Sequence, residues 1–261
     1  MGSSLAQSVS TLMGARQSAM GNASATTADH WSLYNNIGGL GKITESSVAF
    51  SYEAVPSLVG ANRMAMVISL PSKWVNVAIG SFRFGDAIYN EQLLSAGFAN
   101  AFGNTSLGAK INYVQYKADG FSTQRGVTID FGGITQLTSQ LKIGAYITNL
   151  TQSSLQNKEG DRLPTQLILG LGINPSEKVF ISTELVKDVD HKPIWRTGIE
   201  YILYKKISFR TGYQVNPNAA FFGLGFHQNN LKIDYAIRFD QLTGAAHQVS
   251  AGYMINSKVK K

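Results

Sequence analysis

Four histidines (His30, His191, His227, His247) and no cysteine set the limits on the chemistry this chain can do. The histidines are scattered, and none sits in an HExxH or comparable metal-ligand spacing. His247 lies near Ser250, a pairing a surface hydrolase would use, but that spacing arises readily by chance. No catalytic residue, metal site or cofactor is expected, and the chain does not read as an enzyme. The lack of cysteine removes disulfides and thiolate sites. Gly170-x-Gly172 and Gly223-x-Gly225 fall inside alternating apolar runs, not between a strand and a helix, so neither suggests a nucleotide loop. The chemistry that remains is ionic. Lys110, Asp130, Lys142, Glu184, Arg196, Glu200, Arg210, Lys232, Asp234 and Arg238 all stand at the polar positions of such runs. Six are basic and four acidic, so most can pair across an interior.

The elements that position these residues show a period of two. Leu141, Ile143, Ala145 and Ile147 alternate with Lys142, Gly144, Tyr146 and Thr148; Leu231, Ile233, Tyr235 and Ile237 alternate with Lys232, Asp234, Ala236 and Arg238. In a strand each set occupies one face. The pattern recurs about fourteen times between Ser46 and Ile255. No amphipathic helix is left over to cover the apolar face, so that face is expected to meet lipid around a closed barrel.

Composition agrees. Charged residues are 15% of 261, against roughly 25% in ordinary globular domains. The mean hydropathy is −0.05, and no run of about eighteen apolar residues exists, so no transmembrane helix is available. The net charge of +7 lacks the basic stripe with interleaved aromatics that nucleic acid requires; no nucleic-acid partner is expected.

Strands are expected near 46–54, 61–70, 73–84, 90–101, 105–117, 124–133, 138–149, 164–173, 178–187, 193–203, 206–215, 219–227, 230–239 and 245–256. Connections after even-numbered strands are tight (Pro71-Ser72, Gly103-Asn104, Asn174 to Glu177, Gln228-Asn229). Those after odd-numbered strands are mostly longer, notably Thr151–Leu163. This sorting matches the periplasmic and extracellular rims of an outer-membrane barrel and places both termini in the periplasm. Aromatics near strand ends, among them Phe84, Tyr89, Phe102, Trp195 and Tyr253, are candidates for interfacial girdles.

Residues 7–45 do not alternate. They are rich in Ala, Ser, Gly and Asn, with isolated apolar positions, and a short helix is expected around Ala28–Tyr34, opened by Thr26 or Thr27 with Asp29 in its first turn. Such a segment can occupy the lumen as a plug. Inward positions such as Gly144, Gly170, Gly198 and Gly212 lack side chains, which suits close approach by another segment better than an open channel. Four parts are therefore expected: 1–6, a residual signal-peptide end (Ser4-Leu5-Ala6-Gln7 is similar to one) or flexible terminus; 7–45, a plug or hatch; 46–256, an all-β, closed antiparallel transmembrane barrel of about fourteen strands; and 257–261, a basic tail.

The stretch GARQSAMGNASATTADHWSLYNNIGGL, Gly14 to Leu40, resembles the opening of FadL-type outer-membrane barrels and their Bacteroidetes relatives PorV and PorQ. Asn36-Ile37-Gly38-Gly39-Leu40 stands where that family has its Asn-Pro-Ala-Gly-Leu hatch motif, with Ile37 replacing proline and Gly38 replacing alanine. The run DYAIRFDQLTGAAHQVSAGYMI, Asp234 to Ile255, is similar to the closing strands of PorV and PorQ relatives. The resemblance implies fourteen strands and a bacterial outer-membrane location. It marks Arg16, Met20, Asn22, Asp29, His30, Trp31, Asn35, Asn36 and Leu40 as plug or hatch residues. It implies type IX protein secretion, by binding envelope partners or cargo, or alternatively uptake of hydrophobic small molecules, with lipid or detergent in the lumen. Asn36 is expected either to tie the plug to the wall or merely to shape a turn with Asn35 before the first strand.

Overall fold

A computed structural model describes residues 10–155, 162–188, 191–204, 206–241 and 243–255. Parts 1–6 and 257–261 lie outside the described residues. Among the described residues are fourteen strands: β1 (Ser46–Ala54), β2 (Arg63–Leu70), β3 (Asn76–Gly85), β4 (Tyr89–Phe102), β5 (Thr105–Ala118), β6 (Gln124–Gln136), β7 (Leu141–Thr148), β8 (Gln166–Ser176), β9 (Val179–Asp188), β10 (Ile194–Tyr204), β11 (Ile207–Val215), β12 (Ala219–Gln228), β13 (Leu231–Asp240) and β14 (Gly244–Ile255). Each pairs antiparallel with its sequence neighbours, and β14 pairs with β1 to close the barrel. Closure leaves no strand edge exposed, the condition for backbone to cross hydrocarbon.

The alternation sorts by face. Ile79, Leu94, Phe98, Ile111, Leu169 and Phe222 each expose at least half their surface on the outside. Their chain neighbours Ala78, Leu93, Ser95, Gly97, Lys110 and Ile168 point inward and are buried. A soluble protein does not leave such a belt uncovered; lipid covers it at no cost.

The sorting of connections by rim is a tendency: the longest, 149–165 and 55–62, follow odd-numbered strands and the tightest follow even-numbered ones, but 86–88, 216–218 and 241–243 are shorter than 71–75. Several boundaries differ from expectation by two or three residues, among them those of β2, β3, β6, β7 and β8. β3 begins at Asn76 because Ser72 Oγ accepts from the Trp74 and Val75 amides, 3.2 Å each, and holds 71–75 in a turn. β2 likewise starts two residues later than its pattern, at Arg63. β8 runs on through Asn174-Pro175 to Ser176, with a register shift between Ile173 and Ser176 that accommodates the proline. Phe84 is a correction of another kind. Phe84 has the inward parity of Ala78 and Phe82 and packs on the inner core beside Tyr89, ring centroids 6.4 Å apart, so it is no girdle residue.

Inside lies the segment from Ser10 to Thr44. It holds a helix α1 (Ala15–Ala19) and two 3-10 helices, His30–Leu33 and Ile37–Lys42. The helix expected over Ala28–Tyr34 is thus shorter, and its N-cap is Asp29 rather than a threonine. Asp29 accepts from the Trp31 amide at 2.9 Å, and Ser32 Oγ accepts from the Asp29 amide at 3.1 Å. That reciprocal arrangement is a capping box. Trp31, Leu33, Tyr34, Ile37 and Leu40 build the main core against Ala49, Ala65, Val67, Ala78 and Phe82 of β1–β3.

Candidate functional site

The luminal charges pair first along the wall. Lys110 Nζ lies 3.1 Å from Asp130, its register partner on β6. Arg196 donates to its partner Glu184 at 2.9 Å, and Arg210 to its partner Glu200 at 2.6 Å. Arg210 also reaches across β12 to Asp234, 2.7 Å away. Gly225 stands beneath that crossing, where a Cβ would meet the guanidinium and the Asp234 carboxylate at 2.5–2.6 Å. A glycine there is a requirement of the ion pair, not of the turn. Arg238 pairs with Asp240 of its own strand at 3.4 Å. Lys142 and Lys232 instead lie at the short-turn mouth and are neither hydrogen-bonded nor ion-paired among the described residues.

The plug completes what the wall leaves open. Arg16 forks onto Glu200 at 3.0 and 2.6 Å and contacts Asp29 at 3.2 Å, so Glu200 is shared by two guanidinium groups. Glu184 Oε2 accepts from the Ser24 and Ala25 amides, 2.9 Å each, while its other oxygen holds Arg196. Met20 backbone packs on Gly198 and Gly212; a Cβ at Gly144 would run into the Ala25 carbonyl. Asn22, in the left-handed region at φ 61°, lines the space above the plug. His30 lies against Gly252 and tilts toward Trp31, 5.7 Å away. Asn35 donates to the Met13 carbonyl at 3.1 Å, and Leu40 O accepts from Asn76 at 2.8 Å.

Asn36 does both things open to it. Its Oδ1 accepts from the Gly38 amide at 3.0 Å, capping the second 3-10 helix, while Nδ2 donates to Ala25 O at 2.6 Å and to Gly133 O of β6 at 3.0 Å. The side chain is fully buried. Asn36→Ala strands a wall carbonyl and a plug carbonyl; a cost of about 2 kcal/mol is expected, with faster proteolysis of residues 10–44 and an unchanged barrel by circular dichroism.

Sequence reasoning assigned no plug contact to Gln17, Asn76, Ser106 or Ser250. Gln17 donates to Asp29 at 2.5 Å, Ser106 to Gly38 O at 2.5 Å, and Ser250 Oγ accepts from the Ala15 amide at 3.1 Å. Their signal was there: Asn76, Ser106 and Ser250 are small polar residues at inward positions, which a charge-centred reading skips.

The surroundings of His30 predict that plug docking depends on pH. Burial pushes the His30 imidazole below its ordinary value, with Asp29 and Asp234 favouring its charge and Lys232 and Arg16 opposing it. A released plug would return His30 to 6.5, so the released state binds the proton more readily and docking weakens as pH falls below that value. Burial also opposes the charge of Asp29, but His30 and Arg16 outweigh it and hold the carboxyl below its usual 3.8; its contribution is lost only in stronger acid. Cleavage after Arg16 or Lys42 by trypsin should be faster at pH 5.5 than at pH 8 once corrected for trypsin's own profile, and His30→Gln should flatten the difference.

Two hollows remain. One, of about 340 Å³, lies in the lumen above the plug, lined by polar groups including Gln92, Asn112, Asn149, Gln166, Arg196 and Gln214. The other, of about 670 Å³, is a dent in the outer wall over Phe131, Gly133, Ile143, Ala145, Leu169 and Trp195. Ser10, the first described residue, has its carbonyl 2.8 Å from Arg63 at the long-loop rim, whereas β14 ends at the short-turn rim; both chain ends themselves lie outside the described residues. No helix of the described residues is long and apolar enough to cross a membrane; the strands do so.

A closed fourteen-strand barrel with an apolar belt and a lumen holding its own N-terminal segment has the architecture of an outer-membrane β-barrel. The Pseudomonas putida toluene transporter TodX superposes with a TM-score of 0.68 at 11% identity, over 92% of this chain and 97% of that one. The Ralstonia pickettii toluene transporter TbuX gives 0.67 at 14% identity, over 94% and 98%. At these identities the likeness is one of fold. The chain belongs to the type IX secretion system membrane protein PorP/SprF family, whose model matches residues 81–253. The association with type IX secretion thus stands through PorP/SprF, while the finer likeness to PorV and PorQ drawn from the chain's two ends does not follow from these matches. No curated protein matches in sequence.

Proposed function

We propose that this protein is an outer-membrane component of type IX secretion that acts by holding an envelope partner or cargo, and that its lumen does not conduct. One observation carries this: the segment from Ala15 to Lys42 crosses the lumen and is bonded to the wall by Glu184, Glu200, Asn36, Ser106, Asn76 and Ser250. The luminal space left over is small and polar. The family membership supplies the process. On this reading the short-turn rim faces the periplasm, and the partners are outer-membrane lipid and envelope proteins. Deleting the gene should abolish secretion of type IX cargo while leaving uptake of hydrophobic compounds unchanged; intact secretion in the deletion strain would reject the reading.

A second reading, uptake of hydrophobic small molecules, has the fold shared with the toluene transporters behind it. It needs an apolar passage inside the barrel. The apolar hollow between β6 and β10 opens outward, mostly over side chains that already face lipid, with Gly144, Tyr146, Gly170 and Glu184 of the inner face at its floor. Mass spectrometry of the purified protein separates the two: a fatty acid or hydrocarbon retained stoichiometrically would favour uptake.

A further inference from the structure

The chain's charge is unevenly divided between the two rims. At the short-turn rim Lys42, Lys73, Lys142, Lys178, Lys206 and Lys232 face only Glu45 and Glu177 among the described residues. The long-loop rim and lumen are close to balanced, with pairs such as Arg63–Glu53 and Arg238–Asp240. The excess positive charge therefore gathers at one end. Three of the six lysines are on the inner side of the mouth. Lys142 alternates with the outward Leu141 and Ile143, and Lys232 with the outward Leu231 and Ile233. Lys42 Nζ lies 3.3 Å from the Gly103 and Asn104 carbonyls. The Asn104 carbonyl also accepts from Gln136, and Gln136 is the register partner of Lys142, so Lys42 and Lys142 flank one stretch of rim. Neither Lys142 nor Lys232 has an ion-pair partner among the described residues; the acid nearest in influence to Lys232, Asp29, is already held by Arg16 and Gln17. Like charges left unpaired on the inner side of one rim cost repulsion that an anionic occupant relieves.

We infer that the short-turn mouth of the barrel docks an acidic peptide segment of a partner protein, with Lys42, Lys142 and Lys232 as its contacts. The inward placement favours a segment entering the mouth over phospholipid headgroups, which meet the outer side of the rim. This rests on the proposed role in holding a partner, and names that partner's chemistry.

The test compares two variants of equal charge in the full chain in detergent. One is Lys42→Gln, Lys142→Gln, Lys232→Gln; the other is Lys73→Gln, Lys178→Gln, Lys206→Gln. The probe is poly-L-glutamate, followed by fluorescence anisotropy across a salt series, with short-chain phosphatidylglycerol as competitor. The mouth variant should bind about tenfold more weakly and with a shallower salt dependence, while the turn variant stays near wild type. Equal loss in both, no loss in the mouth variant, or displacement by phosphatidylglycerol as effective as by free polyglutamate would overturn the inference. Where the triple variant does not fold, Lys142→Gln alone against Lys178→Gln carries the same comparison. A mouth variant that restores secretion to a deletion strain as well as wild type does would overturn the docking role alone. Intact secretion in the deletion strain itself would overturn the broader reading and leave the binding result standing.

Discussion

Glu184→Ala should free the plug without opening the barrel. The carboxylate is buried, takes two plug amides on one oxygen and the Arg196 guanidinium on the other. Removing it leaves a buried cation with only Gln214 beside it and two amides without an acceptor. Breaking one side of a buried pair costs about 3–5 kcal/mol. Nearly all of that falls on the docked state of the plug, since released plug amides are solvated. Protease should then cut between residues 15 and 42, while β9 and β10 keep their ladder and the variant still runs as a compact band before boiling. Global unfolding with no selective cleavage would show instead that plug and barrel form one cooperative unit.

Leu94→Arg should impair assembly, whereas Phe102→Arg should be tolerated. Both positions face outward. Leu94 stands near the middle of β4 and Phe102 at its end. A cation on the lipid face costs about 2–4 kcal/mol at the bilayer midplane and about 0–1 near the interface. Urea unfolding in lipid vesicles reads the difference. Equal effects at the two positions would contradict the assignment of the outer face to hydrocarbon.

These two predictions draw on features of unequal visibility in the sequence. The outward row was legible because a period of two over fourteen segments has one geometric meaning, and because the tendency of loop length to sort by parity supported an even number of strands. The inward charges were legible as a set. Their pairing was not, since it depends on register. Lys110 meets Asp130 only because the connection between β5 and β6 has the length it has, and Arg210 reaches Asp234 only over the bare backbone of Gly225.

The plug was visible as non-alternating chain with glycines waiting opposite it, but its path was not, because small residues without a period specify no direction. Asn36 shows the limit well: a capping role and a wall-tying role looked exclusive, and the side chain has enough donors and acceptors for both. The resemblance at the chain ends pointed to the right secretion system through different members. The family match spans 81–253, which includes most of the closing strands on which part of that resemblance rested.

The acid sensitivity of His30 and the unpaired lysines at the mouth bear on the same event. A partner arriving at the short-turn rim meets Lys232, whose field acts on both Asp29 and His30. Neutralising that lysine by docking an acidic segment would remove one of the charges opposing protonation of docked His30, which narrows the difference from the released state and should make plug docking less sensitive to acid.

Conductance across a planar bilayer tests the closed lumen most directly. Wild-type protein inserted as single barrels should stay silent under applied voltage, and Glu184→Ala should show openings as its plug leaves. Steady, large-conductance openings of the wild-type chain would mean that the lumen is a passage and that the docking account is wrong.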